Sequence, residues 1–247
     1  MKTLENRKIL IDGLRELGVS ISVEKLEKLL AFKDIMLEWN NRMNLTAITE
    51  DKEVFIKHFL DSATCLSTGY IKEGMNIIDV GSGAGFPGIP VKILKDGLRM
   101  TLLDSLNKRI IYLSEAVKIL ELENTSTVHA RAEEAGNSKA HRECYDIVMS
   151  RAVAPMNILC EYCLPFVMVG GHFLCQKGPD IRDEMEGAEM AIKTLGGAVK
   201  EVKEYELPFS DIKRNIIIIE KTTVTPTKYP RKPGKPAANP IIQLKSK

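Results

Sequence analysis

The stretch from Ile77 to Pro90, IIDVGSGAGFPGIP, constrains this 247-residue chain more than any other. The apolar pair Ile77-Ile78 leads to Asp79 and then to glycines at 81, 83, 85 and 88. That order reads as a buried strand, a tight turn and the start of a helix. Glycine serves such a turn by accepting positive φ and by letting backbone approach a ligand where a Cβ would collide. The helix that follows directs its free N–H groups and positive dipole end at whatever the loop cradles. Pro87 and Pro90 suit a first helical turn, where no intrahelical N–H bond is lost.

The glycines admit two parses. Gly83, Gly85 and Gly88 satisfy the dinucleotide pattern G-x-G-x-x-G, a weak signal by itself. Asp79, Gly81, Gly83 and Gly85 give D-x-G-x-G-x-G, which resembles motif I of the class I methyltransferases that use S-adenosylmethionine. An acid at the strand end suits that cofactor, whose amino acid moiety carries an ammonium group and whose linker carries no phosphate.

Around this loop the chain changes rhythm. Residues 1–70 read as helical: Leu10, Leu14 and Leu17 form a stripe ending at Gly18, and Ser22 is placed to cap a second helix carrying Leu29, Phe32, Met36 and Trp39. Trp39 to Thr49, rich in asparagine and threonine, is expected to be a structured turn. Ile56, Phe59, Leu60 and Ala63 then define a third helix. From Met75 onward strands and helices alternate, the pattern of a parallel sheet with crossover helices. Strands are expected to end at Asp79, Asp104, Ala130 and Arg151, followed by HFLCQK. The final pair, AVKEVKEYEL and NIIIIEK, is joined by a link short enough for antiparallel pairing. The expected division is a helical cap (1–70), an α/β domain (71–221) and a basic, proline-rich tail (222–247).

Composition excludes several classes. The start, MKTLENRK, has no apolar signal region, and the longest aliphatic run, Ile216 to Ile219, cannot span a bilayer. Five cysteines without a secretory signal point to reduced thiols in a cytoplasm. Cys160-x-x-Cys163 lacks a partner pair for zinc, and Cys163 falls on an apolar helical stripe with Leu159, Tyr162 and Phe166, as a buried thiol does. The four histidines are scattered, so no metal site is expected. The net charge of +2 hides an uneven distribution: from Lys221 there are seven basic and no acidic residues, leaving 28 basic against 33 acidic in the first 220. The basic end is either a solvated terminus or a polycation that follows phosphates.

Ligands of doubly wound sheets lie outside the carboxyl ends of the strands. Those ends supply Asp104, which stands 23 positions beyond Gly81 and could accept both ribose hydroxyls of an adenosine. Such a carboxylate serves a dehydrogenase and a methyltransferase equally, and the lesser alternative is a helix-start acid held by the dipole. Ala132 and Glu133, after the third strand, could read an adenine ring, or Glu133 could be a solvated loop acid. Arg151 ends the fourth strand without an acidic sequence neighbour and could pair with a carboxylate or an RNA phosphate.

Taken together, the WN–NLTAIT block (Trp39, Asn40, Asn44 to Thr49), HFLDS (His58 to Ser62), DVGSGAGFPGIP, LLDSLNKR, RAEE, SRAVA and YPRKPGKPAANP resemble the ribosomal RNA small-subunit methyltransferase G family, also called glucose-inhibited division protein B. The resemblance runs over essentially the whole chain, with a departure at Ala238, where the tail pattern usually has lysine. It implies a class I, Rossmann-like, S-adenosylmethionine-dependent fold: a seven-stranded, mostly parallel sheet with an N-terminal helical cap. It implies methyl transfer to N7 of a guanine in 16S rRNA, by a cytoplasmic protein expected to be monomeric and to act on the small ribosomal subunit or its assembly intermediate. Matching positions imply cofactor contacts at Gly81, Phe86, Ala132, Glu133 and Arg151, to which the glycine loop and the ribose argument add Gly83 and Asp104. Guanine N7 carries a lone pair and no proton, so no catalytic base is expected. No Pro-Cys nucleophile and no Asn/Asp-Pro-Pro-Tyr motif argues for other methylation chemistry. Arg42, Asn44, His58, Lys177, Lys213, Arg214 and the tail are candidates for the substrate side. The competing readings are a nicotinamide-dependent oxidoreductase using Gly83, Gly85 and Gly88, and a non-catalytic RNA-binding relative.

Overall fold

The computed structural model describes residues 2–151 and 153–242, with side chains from residue 7 onward. Ala152 of the SRAVA block and the tail residues Lys245 and Lys247 lie outside the described residues. The chain opens with α1 (Lys2–Glu16) and α2 (Val23–Met43), then α3 (Asp51–Val54), which runs through a π-helical stretch (Phe55–Leu60) into α4 (Asp61–Ser67). Alternation follows: β1 (Asn76–Val80), α5 (Gly88–Leu94), β2 (Arg99–Asp104), α6 (Asn107–Ile119), β3 (Thr125–His129), α7 (Ala132–Ala135), β4 (Tyr145–Arg151), α8 (Met156–Cys163), β5 (Val167–Lys177) and α9 (Arg182–Thr194). The chain closes with β6 (Gly197–Glu206), β7 (Lys213–Lys221) and α10 (Lys235–Ala238).

The seven strands form one sheet in the order β3-β2-β1-β4-β5-β7-β6. β1 to β5 are parallel, and β7 runs antiparallel to both β5 and β6. This is an α/β fold whose order reverses between β1 and β4, where a crevice opens. The inner strands β1, β2, β4 and β7 are buried on both faces, which is why they are apolar runs without alternation, whereas the edge strands β3 and β6 are polar and largely exposed. Ile77, Ile147, Leu174 and Ile218 pack on one side with the N-terminal helices and α6. Their neighbours Ile78, Val148, Phe173 and Ile219 pack on the other with α8 and α9. The N-terminal helices thus share a core with the sheet.

Local signals account for much of this. Ser22 Oγ accepts the Lys25 N–H at 3.3 Å and starts α2. The asparagine-rich block differs from expectation: Trp39 to Met43 continue α2, and the chain turns only at Asn44, which adopts a left-handed φ of 49°. The Trp39 ring lies 5.8 Å from that of Tyr112, and this packing overrides the weak helix propensity of the asparagines. The tail also differs from a solvated terminus. Arg142 donates to the carbonyls of Thr225 (2.7 Å) and Tyr229 (2.8 Å), Asn137 donates to Pro230 O, and Pro230 and Pro236 are buried. The fully buried Lys221 ammonium donates to Leu164 O, Val167 O and Thr225 Oγ1 where the tail begins. Among the cysteines only Cys144 is exposed, and burial raises the thiol pKa values of Cys160 and Cys163.

The glycine loop is clamped from beneath. Asp79, at the end of β1, is fully buried, and its Oδ2 accepts the Gly88 N–H at 2.9 Å, the first residue of α5. A Cβ on Gly88 would lie 2.8 Å from that oxygen and 2.5 Å from Leu102 Cδ2, so the approach requires glycine. Asp79 therefore holds the loop instead of facing a ligand ammonium, which corrects the expectation for this residue. Its Oδ1 is buried without a hydrogen-bond partner. Burial pushes the carboxyl up to about 7, against the opposing effects of the Gly88 N–H and the Arg151 charge.

A raised acid pKa destabilises the folded state as pH climbs from the unfolded value, near 4, through about 7. The penalty is absent below pH 4 and reaches on the order of 4 kcal/mol above pH 7. Asp79→Asn, which keeps an acceptor for Gly88, should therefore gain stability relative to wild type as pH rises from 4 to 8. Urea midpoints at pH 5 and pH 8 read this, and a difference between the two proteins that is constant with pH would contradict it.

Candidate functional site

The carboxyl ends of the parallel strands frame two adjoining cavities. The larger, about 380 Å³, is lined by the glycine loop, Phe86, Asp104, Arg109, Thr46, His58 and Arg151. The smaller, about 150 Å³, is lined by Leu103, Ala130, Ala132, Glu133 and Tyr162. Both share Gly81, Asp104, Ser105 and Val153, so they form one bent cleft across β1, β2 and β4. A cavity of about 700 Å³ opens at the other end of the sheet, between the start of α2 and the loops entering β2 and β3. It is polar and lies away from the crevice that this sheet topology reserves for ligands.

All seven sequence-predicted residues line the cleft: Gly81, Gly83, Phe86, Asp104 and Arg151 in its larger part, and Ala132 and Glu133 in its smaller. Asp104 stands at the junction, nearly buried, and its carboxylate is already engaged. Oδ2 accepts the Gly83 N–H at 2.9 Å, Oδ1 accepts the Leu106 N–H at 2.9 Å, and Arg109 Nη1 lies 3.4 Å from Oδ2. Asp104 thus fixes the loop and starts α6, leaving its remaining lone pairs toward the cleft. Gly83 has φ +58°, and a Cβ there would meet nothing nearer than Gly81 O at 3.8 Å.

Arg151 and Phe86 form the wall opposite. The guanidinium carbon sits 5.3 Å from the Phe86 ring centroid, a cation–π arrangement. Arg151 Nη1 donates to Asp61 Oδ2 at 2.8 Å and to Lys57 O at 3.2 Å. Asp61 is buried and also faces Arg214, whose Nε is 3.3 Å from Oδ1, an ion pair without hydrogen-bond alignment. The carboxylate that Arg151 lacked in sequence therefore comes from α4, 90 residues earlier. The π-helical turn just before Asp61 carries His58, whose ring stacks on Phe86 at 4.5 Å. Such turns recur at functional sites because they re-aim side chains.

His58 is held by both ring nitrogens. Lys57 O lies 3.1 Å and Arg151 Nη2 3.4 Å from Nδ1, and the Thr46 hydroxyl lies 3.0 Å from Nε2. Thr46 in turn accepts the Ile48 N–H and donates its own N–H to Asn40 Oδ1. Burial, with the Arg151 charge second, lowers the His58 pKa to about 4, so the ring is neutral near pH 7. The other substrate-side candidates divide. Lys177 is paired with Glu184 and Ala154 O, Arg42 with Glu38 away from the cleft, and Asn44 caps α2. Lys213, beside Arg214, is exposed.

The smaller cavity brings in residues that sequence reasoning missed. Glu133 Oε1 accepts the Gly234 N–H from the tail at 3.0 Å. Glu161, buried beside Tyr162, receives Arg231 through its backbone N–H (2.8 Å), Nε and Nη2 (2.6 Å). No local pattern marks a partner 70 residues away, so only Glu161, a charge on an apolar helix, offered a hint. Among the described residues no group of histidine, cysteine or acidic side chains is placed to hold a metal ion. No described helix is long and apolar enough to cross a membrane.

Comparisons with known proteins identify the family of this chain. A family model described as rRNA small subunit methyltransferase G matches residues 25–217. The chain is 56% identical over 238 residues to the ribosomal RNA small subunit methyltransferase G of Alkaliphilus metalliredigens (strain QYMF), covering 96% of this chain and 100% of that protein. It is 52% identical over 241 residues to the protein of the same description from Acetivibrio thermocellus, with coverage of 97% and 98%. Among solved structures, a precorrin-6y C5,15-methyltransferase from Geobacter metallireducens GS-15 matches with a TM-score of 0.50 at 17% identity, over 65% of this chain and 87% of that one. MtNAS in complex with MTA and tNA matches with a TM-score of 0.53 at 11% identity, over 77% and 71%. At these identities the structures speak to the fold alone.

The Asp61–Arg151 pair yields a stability prediction. Removing one partner of a buried pair strands the other charge, so Asp61→Ala should cost about 3–5 kcal/mol. The double variant Asp61→Ala with Arg151→Met should cost less than the sum of the singles by about 1–3 kcal/mol. Urea denaturation of the four proteins measures the coupling, and strict additivity would show that the pair does not act as a unit.

Proposed function

The chain belongs to the rRNA small subunit methyltransferase G family, and from that membership we propose how this cleft works. The protein is a methyltransferase that moves the methyl group of S-adenosylmethionine to N7 of a guanine in 16S rRNA. The adenine end of the cofactor is assigned to the smaller cavity beside Ala132 and Glu133, the ribose to Asp104 at the junction, and the methionine end to the larger cavity beside Gly81, Gly83, Phe86 and Arg151. The two volumes together fall in the usual range for small-molecule sites, about 300–1,000 Å³. The working unit is taken as the monomer. On this reading residues 1–70 cap the site, 71–221 bind the cofactor and 222–247 border its adenine end, in a protein working in the cytoplasm.

One observation carries the choice of cofactor. A dinucleotide places its pyrophosphate on the free N–H groups of the glycine loop and helix start. Here those donors are taken by carboxylates: Gly83 N–H by Asp104 and Gly88 N–H by Asp79. A phosphate would meet the Asp104 carboxylate and few free amides, since the Gly81 and Ser82 N–H groups donate to Leu103 O and the Gly85 N–H to Ser82 O. A nucleoside with hydroxyls and an ammonium, and no phosphate, fits what remains.

When bound, the cofactor supplies a methyl group made electrophilic by its sulfonium. The protein then has to hold guanine N7 in line with that methyl, because proximity and alignment are what a proton-free substitution needs. A histidine with a pKa of about 4 is a poor base at pH 7, and none is required. His58 instead supports the Phe86 ring and, through Thr46 and Asn40, the loop at the mouth of the cleft. Arg214 and the exposed Lys213 on the same rim suit a phosphate backbone.

Two measurements test this. Mapping of N7-methylguanine in 16S rRNA from cells lacking the protein should reveal one lost methyl group, restored by the gene for this chain. An unchanged map would overturn the substrate assignment. In the purified protein, Gly83→Val should remain folded at a cost of about 1–2 kcal/mol for a side chain at positive φ. The same variant should weaken S-adenosylhomocysteine by at least ~100-fold, since the valine projects into the cleft. Wild-type affinity in a folded variant would remove the loop from the site.

A further inference from the structure

The tail touches the cleft at one defined point. Leaving β7 at Lys221, it is braced by Arg142 at Thr225 and Tyr229, and then meets Glu161 and Glu133 in succession. At Glu161 the contact is a two-pronged ion pair: Arg231 Nε to Oε1 and Oε2, Nη2 to Oε2, and the Arg231 N–H to Oε1. Glu161 is 1% exposed, so this is an inward anchor and not a surface pair. Its sequence neighbour Tyr162 lines the smaller cavity. Three residues beyond Arg231, Gly234 has φ +82° and directs its N–H to Glu133 Oε1. Among the described residues Glu133 Oε2 takes no hydrogen bond, and Glu133 lines the cavity at 4% exposure.

We propose that the tail is a structural part of the adenine end of the cofactor site, with Arg231 and Glu161 as positioning residues. The anchor fixes Gly234, and the Gly234 N–H fixes one oxygen of Glu133, so that the other faces the cavity as an acceptor. An acceptor held in this way takes a hydrogen bond from an exocyclic amine and repels a carbonyl oxygen in its place. The tail thereby sets the base selectivity of the site: adenine over hypoxanthine. The same segment carries exposed cations at Lys228, Lys232 and Lys235. One strap thus borders the cofactor and offers three ammonium groups to solvent. This inference rests on the cofactor placement given above.

The test compares S-adenosylhomocysteine with S-inosylhomocysteine, which carries a carbonyl oxygen where adenine has its amine. Calorimetry on the full chain should give a preference for the adenine ligand of at least ~10-fold, since a site built to hydrogen-bond a group rejects an analogue lacking it. Glu161→Gln combined with Arg231→Met removes both charges of the anchor and strands neither. This double variant should lose most of the preference, with the adenine ligand weakened and the inosine ligand nearly unchanged. A purely structural role would weaken both ligands equally and leave the ratio intact, and that result overturns the proposal. Amide exchange on the unmodified protein provides a second reading. Residues 231–235 should exchange more slowly with S-adenosylhomocysteine bound than without, and unchanged exchange also overturns it. Failure of the wild-type protein to bind S-adenosylhomocysteine at all would instead bring down the cofactor placement, and this inference with it.

Discussion

A hydrogen bond from Gly88 N–H to a buried carboxylate, Asp79, underlies everything at the upper end of this sheet. It joins the end of β1 to the start of α5 across the whole glycine loop. A second carboxylate, Asp104 from the neighbouring strand, takes the Gly83 N–H in the middle of the same loop. The loop is therefore pinned at two points by acids from adjacent strands. Its shape is set before any ligand arrives, which reduces the ordering that binding would otherwise require. The arrangement carries a tension: Asp79 has a buried oxygen without a partner, and its charge is disfavoured where it sits. Strain of this kind is characteristic of sites where function outranks stability.

The same logic of buried charge continues outward. Asp61 gathers Arg151 and Arg214, Glu161 holds Arg231, and Lys221 lies among carbonyls with Glu143 3.1 Å away. These groups sit where the apolar sheet gives way to loops, and each joins segments remote in sequence. Apolar contacts alone tolerate sliding and repacking, whereas a buried ion pair that loses its geometry leaves a charge stranded. The cleft is bordered by such pairs on two sides, which suits a reaction that depends on alignment.

How much of this was legible beforehand follows from distance along the chain. The glycine loop, the acids at strand ends and the Ser22 cap are local signals, and residues a few positions apart determine them. The parallel character of the sheet follows from alternation of elements, and the antiparallel pairing at its end from the short link before β7. The partner of Arg151 was invisible because it lies 90 residues away on a turn whose π-helical winding no periodicity announces. Asp79 was assigned to the ligand because strand-end acids often face one; burial beneath Gly88 is a three-dimensional fact. The helical continuation through Trp39 depends on Tyr112, and the docking of the tail depends on Glu133 and Glu161. In each case a tertiary partner overrode a correct reading of local propensity.

The antiparallel β7 has a consequence for the order in which the molecule can be made. Because that strand reverses, it delivers the chain to the end of the sheet opposite the cleft, and the following residues must climb back to reach Glu133. All seven strands precede this climb in sequence. During synthesis, where earlier segments fold first, the sheet and the pinned loop can be complete while the border at Glu133 has yet to be added. A chain interrupted just after β7 would have the architecture of the enzyme with one wall of its cleft missing.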